Sequence, residues 1–181
     1  AATADVIITG ETTNNYFGSY LTSGDFNTDG KIDLAVGAFR YSTYTGRVYI
    51  FYNDGSIPTT AATADVIITG ETTNNYFGYT LTSGDLNSDG KVDLAVGAYV
   101  YSSSTGRAYI FYNDGSIPTT AATADVIVTG ESSSSNFSYG LAIGDINSDG
   151  RVDVIVGAYG NATSTGKIYV FQGRDNYSWT L

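Results

Sequence analysis

The 181-residue sequence contains no cysteine, no histidine and no methionine, and it has only 2 prolines. Without cysteine there is no disulfide, no thiolate nucleophile and no Cys-ligated zinc. Without histidine the commonest general base and the commonest transition-metal ligand are gone, and His-dependent triads go with them. Charge is scarce as well, at 14% of residues against roughly 25% in an average soluble domain. Within that small set the bases are few, with 8 Lys and Arg facing 18 Asp and Glu for a net charge of −10. Such a chain repels phosphate backbones and anionic lipid surfaces, which argues against nucleic acid and against membrane association as partners. No apolar run approaches the ~18 residues of a membrane span, so membrane insertion is not expected. A chain that opens on Ala1 and holds no Met reads as a processed or excised segment.

What the sequence does hold is repetition. The tract AATADVIITGETTNNYFG at residues 1–18 recurs unchanged at 61–78 and returns at 121 as AATADVIVTGESSSSNFS, a period of 60 residues. The chain therefore divides into three repeats, 1–60, 61–120 and 121–181. Each repeat reads as four short strands rich in Val, Ile, Tyr, Phe and Thr. In the first copy these are Asp5–Gly10, Tyr16–Phe26, Asp33–Phe39 and Arg47–Tyr52, with Asn53-Asp54-Gly55 as a hairpin turn. No segment has a helical apolar period. The expected fold is all-β, with four-stranded antiparallel meanders repeated as propeller blades. A sandwich is the plain alternative, but it would not explain the period.

Each repeat also carries one dense polar turn, GDFNTDGKIDLAVGA, GDLNSDGKVDLAVGA and GDINSDGRVDVIVGA, with the shared pattern D-x-N-x-D-G-x-x-D. Alternating oxygen side chains followed by glycine make a loop that can wrap a hard cation, and calcium takes six to eight oxygens. The candidate ligands are Asp25, Asn27, Asp29, the Lys31 carbonyl and Asp33. Their counterparts are Asp85, Asn87, Asp89, Lys91 and Asp93, then Asp145, Asn147, Asp149, Arg151 and Asp153. A solvated acidic turn is the plain alternative. Three copies at fixed spacing disfavour it, and so does the repulsion among carboxylates in a tight turn. Three calcium ions per chain would bring the formal charge from −10 to −4. The pattern is not an EF-hand, because the twelfth position is Val36, Val96 or Val156 and the flanks are strand-like.

Phe17-Gly18, the acidic turn and Val36-Gly37-Ala38 together resemble the FG-GAP repeat of integrin alpha-chain β-propellers. Phe77-Gly78 and Val96-Gly97-Ala98 repeat the match, which covers essentially the whole chain with three repeats in register. The chain departs from the family pattern at Phe39, Tyr99 and Tyr159, which replace the proline, and at Phe137-Ser138. The resemblance implies structural calcium at the turns between a blade's first and second strands. It also implies that the strand beginning YFG is innermost and that the next DVIITG is outermost in the same blade. Asp5–Gly10 is then an unpaired outer strand, and the third repeat lacks its own unless residues 176–181 begin one. Three blades do not close a ring. The expectation is a homodimer of six blades in which residues 5–10 of one chain complete the third blade of the other. The competing reading is an excerpt of a longer propeller.

Successive turns of a meander alternate between its two ends. The acidic turn and the YNDGSIPTT tract share one end, and the turns at 10–17 and 39–46 share the other. The second end carries the candidate ligand-binding residues Asn15, Tyr16, Arg40, Tyr41, Tyr44 and Tyr101, because tyrosine beside Asn and Ser makes adaptable recognition surface. Packing of blade faces is the plain alternative for any one of these tyrosines. The glutamates occur once per repeat, as Glu11, Glu71 and Glu131, and look structural rather than like an acid/base pair. The expected function is a calcium-stabilised, extracellular or cell-surface binding or adhesion module that is not an enzyme and whose ligand is a protein or a glycan. The alternatives are a carbohydrate-binding lectin and a structural or engineered repeat with no ligand.

Overall fold

The computed structural model describes residues 3–161 and 165–173. Among these residues eleven strands form three sheets in sequence order. The first contains β1 (Leu21–Gly24), β2 (Asp33–Ala38), β3 (Arg47–Phe51) and β4 (Val66–Thr69). The second contains β5 (Thr80–Gly84), β6 (Asp93–Ala98), β7 (Arg107–Phe111) and β8 (Val126–Thr129). The third contains β9 (Phe137–Gly144), β10 (Asp153–Ala158) and β11 (Lys167–Phe171). Neighbours pair antiparallel throughout, with Val36 between Leu21 and Tyr49 and Val96 between Leu81 and Tyr109. These are the blades expected of a propeller, and the first two take their outer strands, β4 and β8, from the next sequence repeat.

The inner strands lie side by side, β1 beside β5 and β5 beside β9. Thr22 and Ser83 hydroxyls meet at 2.6 Å across the first of these junctions. Strand alternation sends one face of each sheet to each neighbour. Val48, Ile50 and Ile68 of the first sheet pack against Phe77, Leu81, Leu94 and Val96 of the second. Ala108, Ile110 and Val128 of the second pack against Phe137, Val154 and Val156 of the third. Each of these Val, Leu, Ile and Phe side chains contributes about 1.5–3 kcal/mol when fully buried. The Phe of each FG-like turn sits edge-on to a core tyrosine of its own blade, at 5.5 Å for Phe17–Tyr49, 5.3 Å for Phe77–Tyr109 and 5.2 Å for Phe137–Tyr169.

Several expected boundaries shift, for local reasons. The Tyr16–Phe26 strand shortens to β1, because Tyr16 and Gly18 have φ of 58° and 87° and the chain enters the acidic turn at Asp25. Residues 5–10 form no strand here. Thr9 makes one parallel bridge to Thr60, while the identical residues of the second copy pair with β3. The Asn53-Asp54-Gly55 tract does not close a tight hairpin. The link from β3 to β4 runs over residues 52–65 and includes a 3-10 turn at Ala61–Thr63, capped by Thr60 Oγ1 accepting the Ala62 N–H. The turns after β2 and β6 contain a helical turn at Tyr41–Tyr44 and at Tyr101–Ser104 with left-handed residues inside. The third sheet shows three strands among the described residues. Residues 176–181, the alternative source of a fourth, lie outside the described residues.

Candidate functional site: an acidic end and a tyrosine end

At one end, each inner strand runs into its acidic turn. Asp25 accepts the N–H groups of Asp29 and Gly30 at 3.1 and 2.9 Å, Asn27 accepts that of Asp29 at 3.1 Å, and Asp29 accepts that of Lys31 at 2.9 Å. Thr28 and Gly30 supply the left-handed φ values of 61° and 84° that coil the chain this tightly. The second and third turns repeat the pattern with Asp85, Asn87 and Asp89 and with Asp145, Asn147 and Asp149.

The last carboxylate of each turn is buried and joins two loops. Asp33 takes the Phe26 and Asn53 N–H groups, each at 2.8 Å. Asp93 takes those of Leu86 and Asn113, and Asp153 those of Ile146 and Gly173. Asn113 Nδ2 donates to the Asp25 carbonyl of the neighbouring blade at 3.4 Å. The acidic turn and the residues after the third strand thus share one end, as the meander requires. Burial pushes the Asp93 carboxyl up to about 6, and the charges of Asp89 and Asp85 add to the rise. The Lys31 N–H, helped by the Lys31 ammonium 3.2 Å away, holds Asp29 below its ordinary range.

Every donor these turns offer is an oxygen, the set that suits a hard divalent cation. Among the described residues no three acidic side chains gather on one metal-sized point, because the carboxylates turn toward backbone N–H groups within their own loop.

The opposite end is aromatic. Ring contacts run from Tyr16 to Phe39 (5.5 Å), Tyr76 (5.5 Å) and Tyr99 (5.6 Å), then to Tyr79 (4.4 Å) and Tyr139 (5.2 Å), and on to Tyr159 (4.6 Å). The Arg40 guanidinium lies 4.0 Å from the Tyr16 ring centre and 5.5 Å from that of Tyr44. The structure therefore brings together Tyr16, Arg40 and Tyr44. Tyr41 and Tyr101 are occupied otherwise, covering Arg47 and Arg107 at 3.7 Å each. Those arginines pair with Glu11 (2.7 Å) and Glu71 (2.9 Å), and Lys167 pairs with Glu131 (2.6 Å). Each glutamate is a fastener, as its regular spacing suggested. Asn15 is buried, and its carbonyl accepts the Arg40 N–H at 3.3 Å. Sequence reasoning missed Tyr76, Tyr79, Tyr99 and Tyr139 as one continuous series. The Ser19/Tyr79 difference between copies was the signal available for it.

Comparison with known proteins converges on the same motif. A family model described as FG-GAP-like repeat matches residues 25–96 and 85–156. Integrin alpha-PS2 of Drosophila melanogaster is 32% identical over 171 residues, covering 88% of this chain and 12% of that protein. Integrin alpha-4 of Xenopus laevis is 32% identical over 166 residues, covering 88% and 16%. Integrin alpha-IIb of Mus musculus is 37% identical over 164 residues, covering 83% and 16%. The chain thus spans less than a fifth of the length of these curated relatives.

Proposed function

The chain belongs to the FG-GAP-like repeat family, and from its two unlike ends we propose that it is a calcium-stabilised, extracellular binding module of adhesion type. Its ligand, a protein or a glycan, docks on the tyrosine end. The observation that carries this reading is the threefold recurrence of one oxygen-only turn on one end, opposite an aromatic series on the other in which Tyr16, Tyr139 and Tyr159 are exposed. The ions would be held by Asp25, Asn27, Asp29, Asp33 and the Lys31 carbonyl, and by the same positions of the next two copies, three per chain. When bound, calcium supplies a fixed positive centre that offsets the burial of the Asp93 carboxylate and the smaller repulsion from Asp89 and Asp85. The turns, tied through Asp33, Asp93 and Asp153 to the strand-3 exits, would then hold each blade's loops rigid. The sequence has neither histidine nor cysteine and each glutamate is ion-paired, so the reading is of a binding protein, not an enzyme. No helix among the described residues is long and apolar enough to cross a membrane.

The partner proposal is a homodimer of six blades. It is supported by what the same repeat position does in different copies. Val48 and Ile50 are fully buried by the second blade, while their counterparts Ile168 and Val170 are 73% and 47% exposed. At the other flank Leu81 is 8% exposed and Leu21 58%. A second copy would cover both flanks, and its residues 5–10 would supply a fourth strand beside β11. A lectin is the second reading, favoured by half-exposed rings such as Tyr16 that can stack on sugars. The test is a binding screen over glycans and extracellular proteins in calcium and in chelator, with the mass in solution measured alongside. Calcium-dependent capture by a dimer is expected. A calcium-loaded, well-folded protein that binds none of them would overturn the recognition role, and a monomeric mass would overturn the dimer.

A further inference from the structure

Copies one and two differ at only ten positions, 19, 20, 26, 28, 32, 39, 40, 43, 44 and 48 in the first copy's numbers. Six of the changes preserve chemistry, such as Phe26/Leu86, Ile32/Val92 and Val48/Ala108. The four that alter it are Ser19/Tyr79, Tyr20/Thr80, Arg40/Val100 and Tyr44/Ser104. All four lie on the tyrosine end, and two of them, Arg40 and Tyr44, touch.

The Arg40 environment is unusual for a cation. The other basic residues of this end, Arg47, Arg107 and Lys167, each have a glutamate. Arg40 has no ion pair among the described residues. It lies among Tyr16, Tyr44 and Phe39, with ring centres at 4.0, 5.5 and 5.6 Å, and its Nε is buried without an acceptor. Asn15, whose main-chain carbonyl accepts the Arg40 N–H at 3.3 Å, likewise has its Nδ2 buried without an acceptor. The second copy shows what a self-contained junction looks like. There Asn75 Nδ2 donates to Thr72 Oγ1 at 2.7 Å, Val100 replaces the arginine, and residues 72–75 and 100–103 line a plain groove. The first copy thus carries two unanswered donors, one of them charged, where positions 75 and 100 of the second copy carry none; on this end the second copy leaves the neutral Thr80 hydroxyl unpartnered. An unpaired buried donor is unfavourable, and an anion would answer both.

We propose that Arg40 and Asn15 form a single carboxylate-binding site in the first blade and that its ligand is an acidic saccharide of the uronate class. The carboxylate accepts from the guanidinium and from Asn15 Nδ2, a charge-assisted contact held in place by the Tyr16 stack. The half-exposed Tyr16 ring and the neighbouring Tyr44 offer the apolar platform that the C–H face of a pyranose covers. An aspartate or glutamate side chain would use the donors and leave the rings bare. The negative charge of the chain does not oppose this, because the acidic turns lie at the other end and the glutamates of this end are neutralised. The inference rests on the tyrosine end being the recognition face.

The variant Arg40→Val with Tyr44→Ser installs residues that the second copy already folds with, so an unchanged melting temperature certifies its fold. Wild type and variant are titrated with uronate-containing oligosaccharides, their carboxyl-reduced counterparts, neutral oligosaccharides and acidic peptides, all in calcium. The expected result is binding to the uronate oligosaccharides that weakens at least about tenfold in the variant and on carboxyl reduction, and that falls with added salt. Equal binding by variant and wild type, equal binding of the reduced sugars, or binding of acidic peptides alone would overturn the site. Neutral sugars bound equally by both proteins would overturn it while leaving the recognition face in place. Silence toward every ligand would strike the site and the recognition face together.

Discussion

Asp93 is a carboxylate whose burial is unfavourable unless something positive arrives. Its carboxyl titrates near 6 in the fold, against an ordinary value of 3.8. The folded state therefore holds this proton more tightly than the unfolded chain does. In calcium-free buffer the group adds stability as the pH falls from about 7 toward 4, and that gain is lost on the way back up through 6. The size is of order 2 kcal/mol. Denaturant melts of wild type and Asp93→Asn across this range isolate the contribution, and the gap between the two curves should change with pH in that direction. With calcium present the sign reverses, because protonation then competes with the ion. Glu71 is the opposite kind of residue, a half-buried anion with its cation in place. Both its oxygens accept from Arg107, whose Nε donates to Thr129 Oγ1 at 2.8 Å. Glu71→Ala strands that guanidinium and should cost about 2 kcal/mol by thermal or denaturant unfolding. Glu131→Ala should cost less, since the Glu131–Lys167 pair is solvent-exposed.

At the scale of the element, close approach between blades governs what β2 and β6 tolerate. A Cβ on Gly37 would sit 2.2 Å from the Gly78 carbonyl oxygen, and one on Gly97 2.6 Å from that of Ser138. Gly37→Ala should therefore destabilise by about 1–3 kcal/mol, seen as a lowered melting temperature. The strands themselves were legible because Val, Ile, Phe and Tyr runs such as DLAVGA and RVYIF have no other use in so uncharged a chain. Their ends were less legible. Left-handed Tyr16, Ser42, Thr43 and Tyr44 carry no glycine to announce the turn, and the backbone bonds that hold them come from distant loops, as when Tyr76 N–H reaches the Tyr44 carbonyl. The acidic turns were legible as turns because their oxygens lie within nine residues of one another. The Arg40 stack and the Glu11–Arg47 pair were not, because their partners are about 24 and 36 residues apart and only the fold joins them.

For the whole molecule, the third blade tests whether its open flank is covered. Gly157, the counterpart of Gly37, has its nearest foreign atom 3.7 Å from an added Cβ. Gly157→Ala should be almost harmless in an isolated chain. In the proposed dimer the first blade of the partner abuts this position as the second blade abuts Gly37, so the same substitution should weaken dimerisation in sedimentation experiments.

The central claim is that the three acidic turns hold calcium and stabilise the blades, and a calcium titration followed by thermal melting tests it most directly. Three ions bound per chain, with a melting temperature that rises in calcium and falls in chelator by well over 5 °C, is the predicted result. A melting curve indifferent to both, on a protein that binds no calcium, would contradict it.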